Sequence, residues 1–471
     1  MPTRTTRCFA TVCLAALAGC AEDAPSAPLV PAVSPPRVLA ASIDTNDVGS
    51  IVLNVQVDRP TAVAVSYWAD EGDTIRVSSR TTALDERLLL PRLHPSTRYH
   101  YRVSPKGHVG QRGTGRDGVF VSSPMPAALA QTQFSVTGRA TEPLLMVQLN
   151  GEFRGVAIID RSGTPVWWWS TQGAPQGYAR RANGNFVIND AGYGIFEVSP
   201  DGHVVHALEG VGHPDLAPFT HHEVLVTPAN TVLFLAQDRR TVSDTTLTGD
   251  AIWEWSPEAG TVIRHMSVFD FLDPALDVGT HSTGTDWVHA NSLAWGNHGN
   301  LILSLNWLNQ VVSIAPKYAG LEWRLGGRGS TFAVASDAIF AGQHTAQQLS
   351  NGNVLMIDDG RDREEPERYS RALEVALDTM TRRARRAWSF SPEPSIYAPY
   401  VGSARRLANQ NTVVHFGMVR GYSGASGPVA TYEVNPRGEV VWRLGISALG
   451  GIGLSYRGEP IASVAAERGP P

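Results

Sequence analysis

Three histidines recur at one place in a repeated pattern. His344 stands nine positions before Asn353 and His221 nine before Asn230, while His289 stands eleven before Asn300, each leading into a tight turn. Equal parity puts the three on the same face of equivalent strands, because successive strand residues point to opposite sides. By the same rule His222, beside His221, faces the other way in a regular strand and reads as structural, although its register depends on how the turns are aligned. One histidine on a strand is most often a structural residue. Three in register, supplied by three repeats, converge, and converged imidazoles can attack, donate or accept protons near neutral pH. Three could also hold zinc.

The elements that position them form a loose repeat from about Phe134 onward. One half of the unit is a turn flanked by apolar residues, as in "RANGNFVIND", "WGNHGNLILSL" and "LSNGNVLMIDD". The other half is a strand, a polar turn and a strand ending near tryptophan, as in "IAPKYAGLEWRLG" and "EVNPRGEVVWRLG", and six copies can be counted. Asn-Gly and Asp-Gly turns supply the positive φ that short hairpins need. Four-stranded units that bury their faces only by stacking on neighbours predict a β-propeller, here of six blades over residues 134–455 with a C-terminal tail at 456–471. Innermost strands line the central channel, which is why a histidine would start one. Trp167, Trp168 and Trp169 are expected in blade core and rim, and "TRRARR" (381–386) on a solvated outer turn.

Upstream, residues 37–123 alternate like short strands, and "LHPSTRYHYRV" (Leu93–Val103) resembles the end of a fibronectin III-like β-sandwich with Trp68 in its core. The fold class expected is therefore all-β: a β-sandwich, acting as a spacer or docking module, followed by a propeller. The first twenty residues, "MPTRTTRCFATVCLAALAGC", combine Arg4 and Arg7 with a short apolar run and read as a secretory signal peptide. Its ending resembles a bacterial lipobox, which makes Cys20 a candidate for lipidation. Residues 21–36 have the Pro/Ala composition of a tether. Ala21 after the cysteine favours an outer-membrane or periplasmic-face location in the cell envelope.

Composition narrows the chemistry. The three cysteines, Cys8, Cys13 and Cys20, all lie in that leader, so the body can form no disulfide and no cysteine-ligated metal site. The net charge of −5, with 18% charged residues, offers no field for nucleic acid.

The segments "THHEVLVTPANTVLFLA", "DWVHANSLAW", "GQHTAQQLSNGNVLMIDDG", "YSRALEVALD" and "GSARRLANQNTVV" together, in this order, resemble the bacterial arylsulfate sulfotransferases. These are six-bladed propeller enzymes that move a sulfuryl group from one phenol to another without phosphoadenosine phosphosulfate, and the resemblance spans most of residues 134–445. It implies that His344 is the nucleophile that is transiently sulfurylated. It also implies that His289, with Asn291 in the same motif, and His221 or His222 bind the sulfuryl oxygens or handle the phenolic proton. The implied partners are small-molecule aryl sulfates and phenols, with the membrane reached through Cys20, and neither cofactor nor metal is required.

One motif departs from the family. Where members show Ser-x-Arg-His, this chain has Ser304-Leu305-Asn306-Trp307. An arginine fork makes two charge-assisted hydrogen bonds to such an anion, and an asparagine makes only neutral ones. Arg328, Arg361 or Arg363 could supply the cation from elsewhere, or Asn306 and Trp307 could reshape the pocket for an acceptor that stacks on the indole. The alternative is a non-catalytic propeller lipoprotein that binds a small ligand or a protein partner at the cell surface.

Overall fold

In the strand Val354–Asp358 every residue is buried, yet alternate side chains go to different places. Val354 and Met356 join one apolar cluster with Ile302, Val311 and Trp323, whereas Leu355 and Ile357 join another with Val414, Phe416 and Ala430. A strand covered on both faces needs apolar residues throughout, which explains runs such as "NVLMID" and "NLILSL". The pattern repeats around the molecule, since six of the clusters each lie between two neighbouring sheets. Burial between blades, not within one, therefore holds the ring.

The computed structural model describes residues 34–106, 113–279, 285–364, 368–419, 427–450 and 453–465. The expected signal peptide, Cys20 and nearly all of the tether lie outside these. Among the described residues no helix is long and apolar enough to cross a membrane.

Six sheets, antiparallel except for a two-residue parallel edge strand at Ala333–Val334, form a six-bladed β-propeller. Its inner strands, in chain order from blade 2 to blade 6, are Ala174–Arg180, Thr220–Val226, Ala290–Trp295, His344–Gln348 and Gly402–Arg406. Leu454–Ile461 returns to be the inner strand of blade 1, and Gln133–Gly138 adds an outer strand to blade 6. Both ends of the repeat are thus hydrogen-bonded across the seam. The chain stays in the ring through Ile461, so the tail expected from 456 instead contributes most of a channel-lining strand.

Upstream, a three-stranded and a four-stranded sheet share one core built from Ile51, Leu53, Val65, Tyr67, Leu90 and Val103, among others. Tyr67 holds the central position, and its hydroxyl donates to the Pro91 carbonyl at 2.6 Å. Trp68, expected in that core, points the other way and stacks on His100 at 6.0 Å. Strand alternation makes these two neighbours exclusive, and the smaller ring took the inside. Trp168 fastens this unit to blade 1, because it is 1% exposed and its indole N–H donates to the Asp47 carbonyl. Gly49, at φ 80, lets the loop cross that ring, where a Cβ would come within 2.7 Å of the indole.

Candidate functional site

Each histidine sits at an irregularity. Pairing registers shift between His221 and Val224, between Ala290 and Ser292, and between His344 and Gln347, and positive φ values fall at His222 (56°), His289 (51°) and Thr345 (50°). A β-bulge re-aims a side chain, so simple alternation fails at these starts. The consequence is clearest for His222, which does not turn away from the cluster. Its ring lies 4.9 Å from those of His221 and His289, and 5.8 Å from that of Tyr456. Its backbone N–H donates to the Gln176 side chain of blade 2, which fixes the bulge.

Hydrogen bonds and nearby carboxylates give each imidazole a direction. His221 Nε2 lies 3.0 Å from Asp250 Oδ1, and its Nδ1 is 2.7 Å from Nδ1 of His222. With the proton of His221 toward Asp250, His222 must donate from Nδ1, leaving its Nε2 as a lone-pair acceptor. Burial, followed by the neighbouring imidazoles and Arg457, pushes the His222 pKa well down, which keeps it neutral. His289 Nδ1 is 2.7 Å from Asp286 Oδ2, and the Trp307 indole N–H donates to the same oxygen at 2.8 Å. Burial raises the Asp286 carboxyl, but the bonds from His289 and Trp307 outweigh it and hold the pKa below the usual range. His344, 6% exposed, has Nδ1 3.2 Å from the Gly342 carbonyl and 3.1 Å from Asp359 Oδ2. The Gly342 carbonyl as acceptor and the Asp359 charge beside it put the proton on Nδ1 and the nucleophilic lone pair on Nε2.

The polar groups of Asn306 and Trp307 on the departing motif have partners within the protein. Asn306 Nδ2 donates to the Gln343 carbonyl at 3.0 Å, and Asn291 Nδ2 donates to the same carbonyl at 2.8 Å. Both are almost fully buried, and together they pin the residue preceding His344. The free face of Asn306 is taken by Arg361, whose guanidinium donates to Asn306 Oδ1 and lies 4.6 Å above the Trp307 ring. His289 is 4.8 Å from the same ring. The indole therefore supports an arginine and a histidine.

Of the three arginines considered, Arg361 alone reaches this spot. Arg363 is bonded to Asp358 and, at 2.7 Å, to the Tyr369 carbonyl. Arg328 is exposed, on the loop after the outer strand of blade 4. Arg361 passes over Gly342, at φ 68, where a Cβ would stand 2.2 Å from its Nε. The supporting carboxylates Asp250, Asp286 and Asp359 were not singled out from the sequence. Asp286 had a signal, since it lies on one motif with His289, but Asp250 and Asp359 lie on other strands or loops from the groups they face.

Beneath the histidines, Arg457 pairs with Glu223 at 2.7 Å and donates to the Asn291 carbonyl at 3.1 Å. Glu223 and Arg457 also line a cavity of about 1010 Å³ toward the other ends of the inner strands. None of the four histidines lines that cavity. Among the described residues no group of three or more His, Cys, Asp or Glu is spaced to hold a metal ion.

The fold and this cluster define a six-bladed propeller with a histidine- and arginine-bearing site at the starts of its inner strands. A model of the arylsulfotransferase (ASST) family matches residues 131–444, and the chain belongs to that family. No curated protein matches it significantly. Among solved structures, a protein of unknown function from Bacteroides caccae is 16% identical, covering 68% of this chain and 99% of its own, with a TM-score of 0.45. The Pseudomonas aeruginosa periplasmic gluconolactonase is 13% identical, covering 84% of this chain and 98% of its own, at 0.37. Virginiamycin B lyase from Staphylococcus aureus is 11% identical, covering 75% and 92%, at 0.35. Scores this low carry no functional argument.

Proposed function

We propose that the chain transfers a sulfuryl group from an aryl sulfate to a phenol through a sulfohistidine at His344. Family membership supports the reaction class. The observation that carries the reading is the guanidinium of Arg361 lying on Asn306 and Trp307, where the chain lacks the strand arginine of the family motif. A cation there can bind equatorial sulfuryl oxygens, on which charge must be stabilised as the group passes between oxygen and nitrogen.

The steps follow from the tautomers. His344 Nε2 attacks sulfur in line, the sulfur–oxygen bond breaks, and its electron pair leaves on the phenolate. His289, in its doubly protonated form paired with Asp286, donates the Nε2 proton to that oxygen. Neutral His222 accepts the proton of the incoming phenol, whose oxygen attacks sulfur and returns the electron pair to His344 Nε2. The proton then passes to His289, 4.9 Å away ring to ring, so that both imidazoles end as they began. Export and anchoring through a lipid on Cys20 belong to the same proposal and would place the enzyme at the periplasmic face of the envelope.

The test is a transfer assay with 4-nitrophenyl sulfate and a phenol, run beside His344→Ala. The expected result is acceptor-dependent 4-nitrophenol release with ping-pong kinetics, lost in the variant, and one sulfuryl mass added to the wild type when acceptor is withheld. Binding of aryl sulfates without turnover across a panel of donors would instead make this a propeller that only binds.

A further inference from the structure

Asp359 is 0% exposed, and among the described residues neither of its carboxylate oxygens makes a hydrogen bond of good geometry. Nδ1 of His344 lies 3.1 Å from its Oδ2. A buried carboxylate left this way is costly unless its charge is used, because burial alone disfavours the ionised form. Its neighbour Asp358 shows the ordinary alternative: Arg371 donates to it at 2.8 Å, Arg363 also bonds it, and the backbone N–H groups of Ala341 and Gly360 complete its set. Asp358 is thus a structural anchor, and Asp359 is the carboxylate reserved for the histidine.

We infer that Asp359 is a positioning residue for His344, fixing its Nδ1–H tautomer and holding that proton on the ring throughout the sulfuryl transfer. This rests on the transfer reading above. When Nε2 bonds to sulfur, the ring carries a positive charge as long as Nδ1 keeps its proton. A fixed negative charge 3.1 Å away stabilises that state. In the return step the sulfur–nitrogen bond breaks toward nitrogen, and a ring still protonated at Nδ1 leaves as neutral imidazole, not as imidazolate. No proton passes to Asp359 in either half.

The arrangement links activity to pH. Burial pushes the Asp359 carboxyl up, and the charges of His344 and Arg361 only partly offset this. Protonation of Asp359 as pH falls removes the charge that Nδ1–H faces. The other titratable or charged groups bearing on this pair are Asp358 beside it, Arg361, His222 on blade 3, and Tyr397 and Tyr456.

The experiment compares wild type with Asp359→Asn, an isosteric change that keeps an acceptor but removes the charge. Two readouts are taken: the His344 tautomer by long-range ¹H–¹⁵N correlation in histidine-labelled protein, and the pre-steady-state burst from 4-nitrophenyl sulfate across pH. Wild type should show the proton on Nδ1, and the variant a mixture of tautomers. The burst should slow by on the order of 10²-fold or more, as when a histidine loses its orienting carboxylate, and lose its Asp359-dependent acid limb. An Nε2–H tautomer in wild type, or an unchanged tautomer, burst and pH profile in Asp359→Asn, would overturn the inference, and the first needs no folded variant. If wild type gives no burst at all, the transfer reading fails, and the tautomer comparison alone decides whether Asp359 positions His344.

Discussion

Replacing Arg361 by alanine removes one guanidinium and leaves the four histidines in place. Two routes give the size of the effect. Deleting one preorganised donor to a developing anion typically costs about 10²–10³ in rate, roughly 3–4 kcal/mol. Two unit charges about 4 Å apart at an effective dielectric near 20 interact by about 4 kcal/mol, or about 10³-fold. Arg361→Ala should therefore lower kcat/KM for the aryl sulfate by about 10²–10³-fold. The accompanying loss of stability should be only about 1–2 kcal/mol, the worth of a stacked cation and one hydrogen bond. Arg361→Lys keeps a charge but neither forks nor stacks on Trp307, and it should fall between the two. The deciding variant adds Asn306→Arg to Arg361→Ala, returning a cation to blade 4, and should recover about tenfold of the lost rate, or about 1.4 kcal/mol. Initial rates over a donor series, with thermal melts as the fold control, measure all of this. An Arg361→Ala enzyme within about threefold of wild type, under 1 kcal/mol, would refute the assignment of the cation.

Other perturbations test the support around the site and the fold. Gly342→Ala strains a backbone at φ 68 and drives a methyl into Arg361, so kcat/KM should drop toward that of Arg361→Ala, with about 1 kcal/mol lost from the melt. His415 is fully buried, 2.8 Å from the Thr431 hydroxyl and 3.3 Å from the Ser455 carbonyl, and burial lowers its pKa to about 4. A histidine whose folded pKa lies below its unfolded one contributes its full stability above pH 6.5 and loses it as pH falls toward 4. About 3 kcal/mol should vanish across that window in urea titrations, and His415→Gln should flatten the slope. Cys20→Ser should abolish incorporation of radiolabelled fatty acid and release the protein from the membrane fraction; unchanged labelling would reject the anchor.

The ring itself was legible in the sequence because its physics is local and repeated. A strand covered on both faces must be apolar at every position, and a hairpin needs Asn-Gly or Asp-Gly at its turn, so both signals recur with each blade. The positions of His221, His289 and His344 at the starts of inner strands followed from that count alone. Their directions did not. Parity arguments assume a regular strand, whereas bulges with positive φ turn His222 toward His289 and set the Nδ1 partners of each ring. Trp68 shows the same limit on a smaller scale, since one residue of register decides which of two aromatics is inside.

The missing cation marks the boundary most sharply. Read along the chain, Asn306 is only a lost charge, and nothing near it in sequence replaces that charge. Arg361 lies 55 positions away, in the next blade, and reaches Asn306 because blades 4 and 5 pack side by side on a shared apolar cluster and Gly342 leaves room for the guanidinium. Asp359 likewise meets His344 only across the hairpin that joins two strands of blade 5. Composition and periodicity dictate what a strand buries and where it turns. Which charged groups finish at one point depends on contacts between segments far apart in the chain, and only the closed ring creates those.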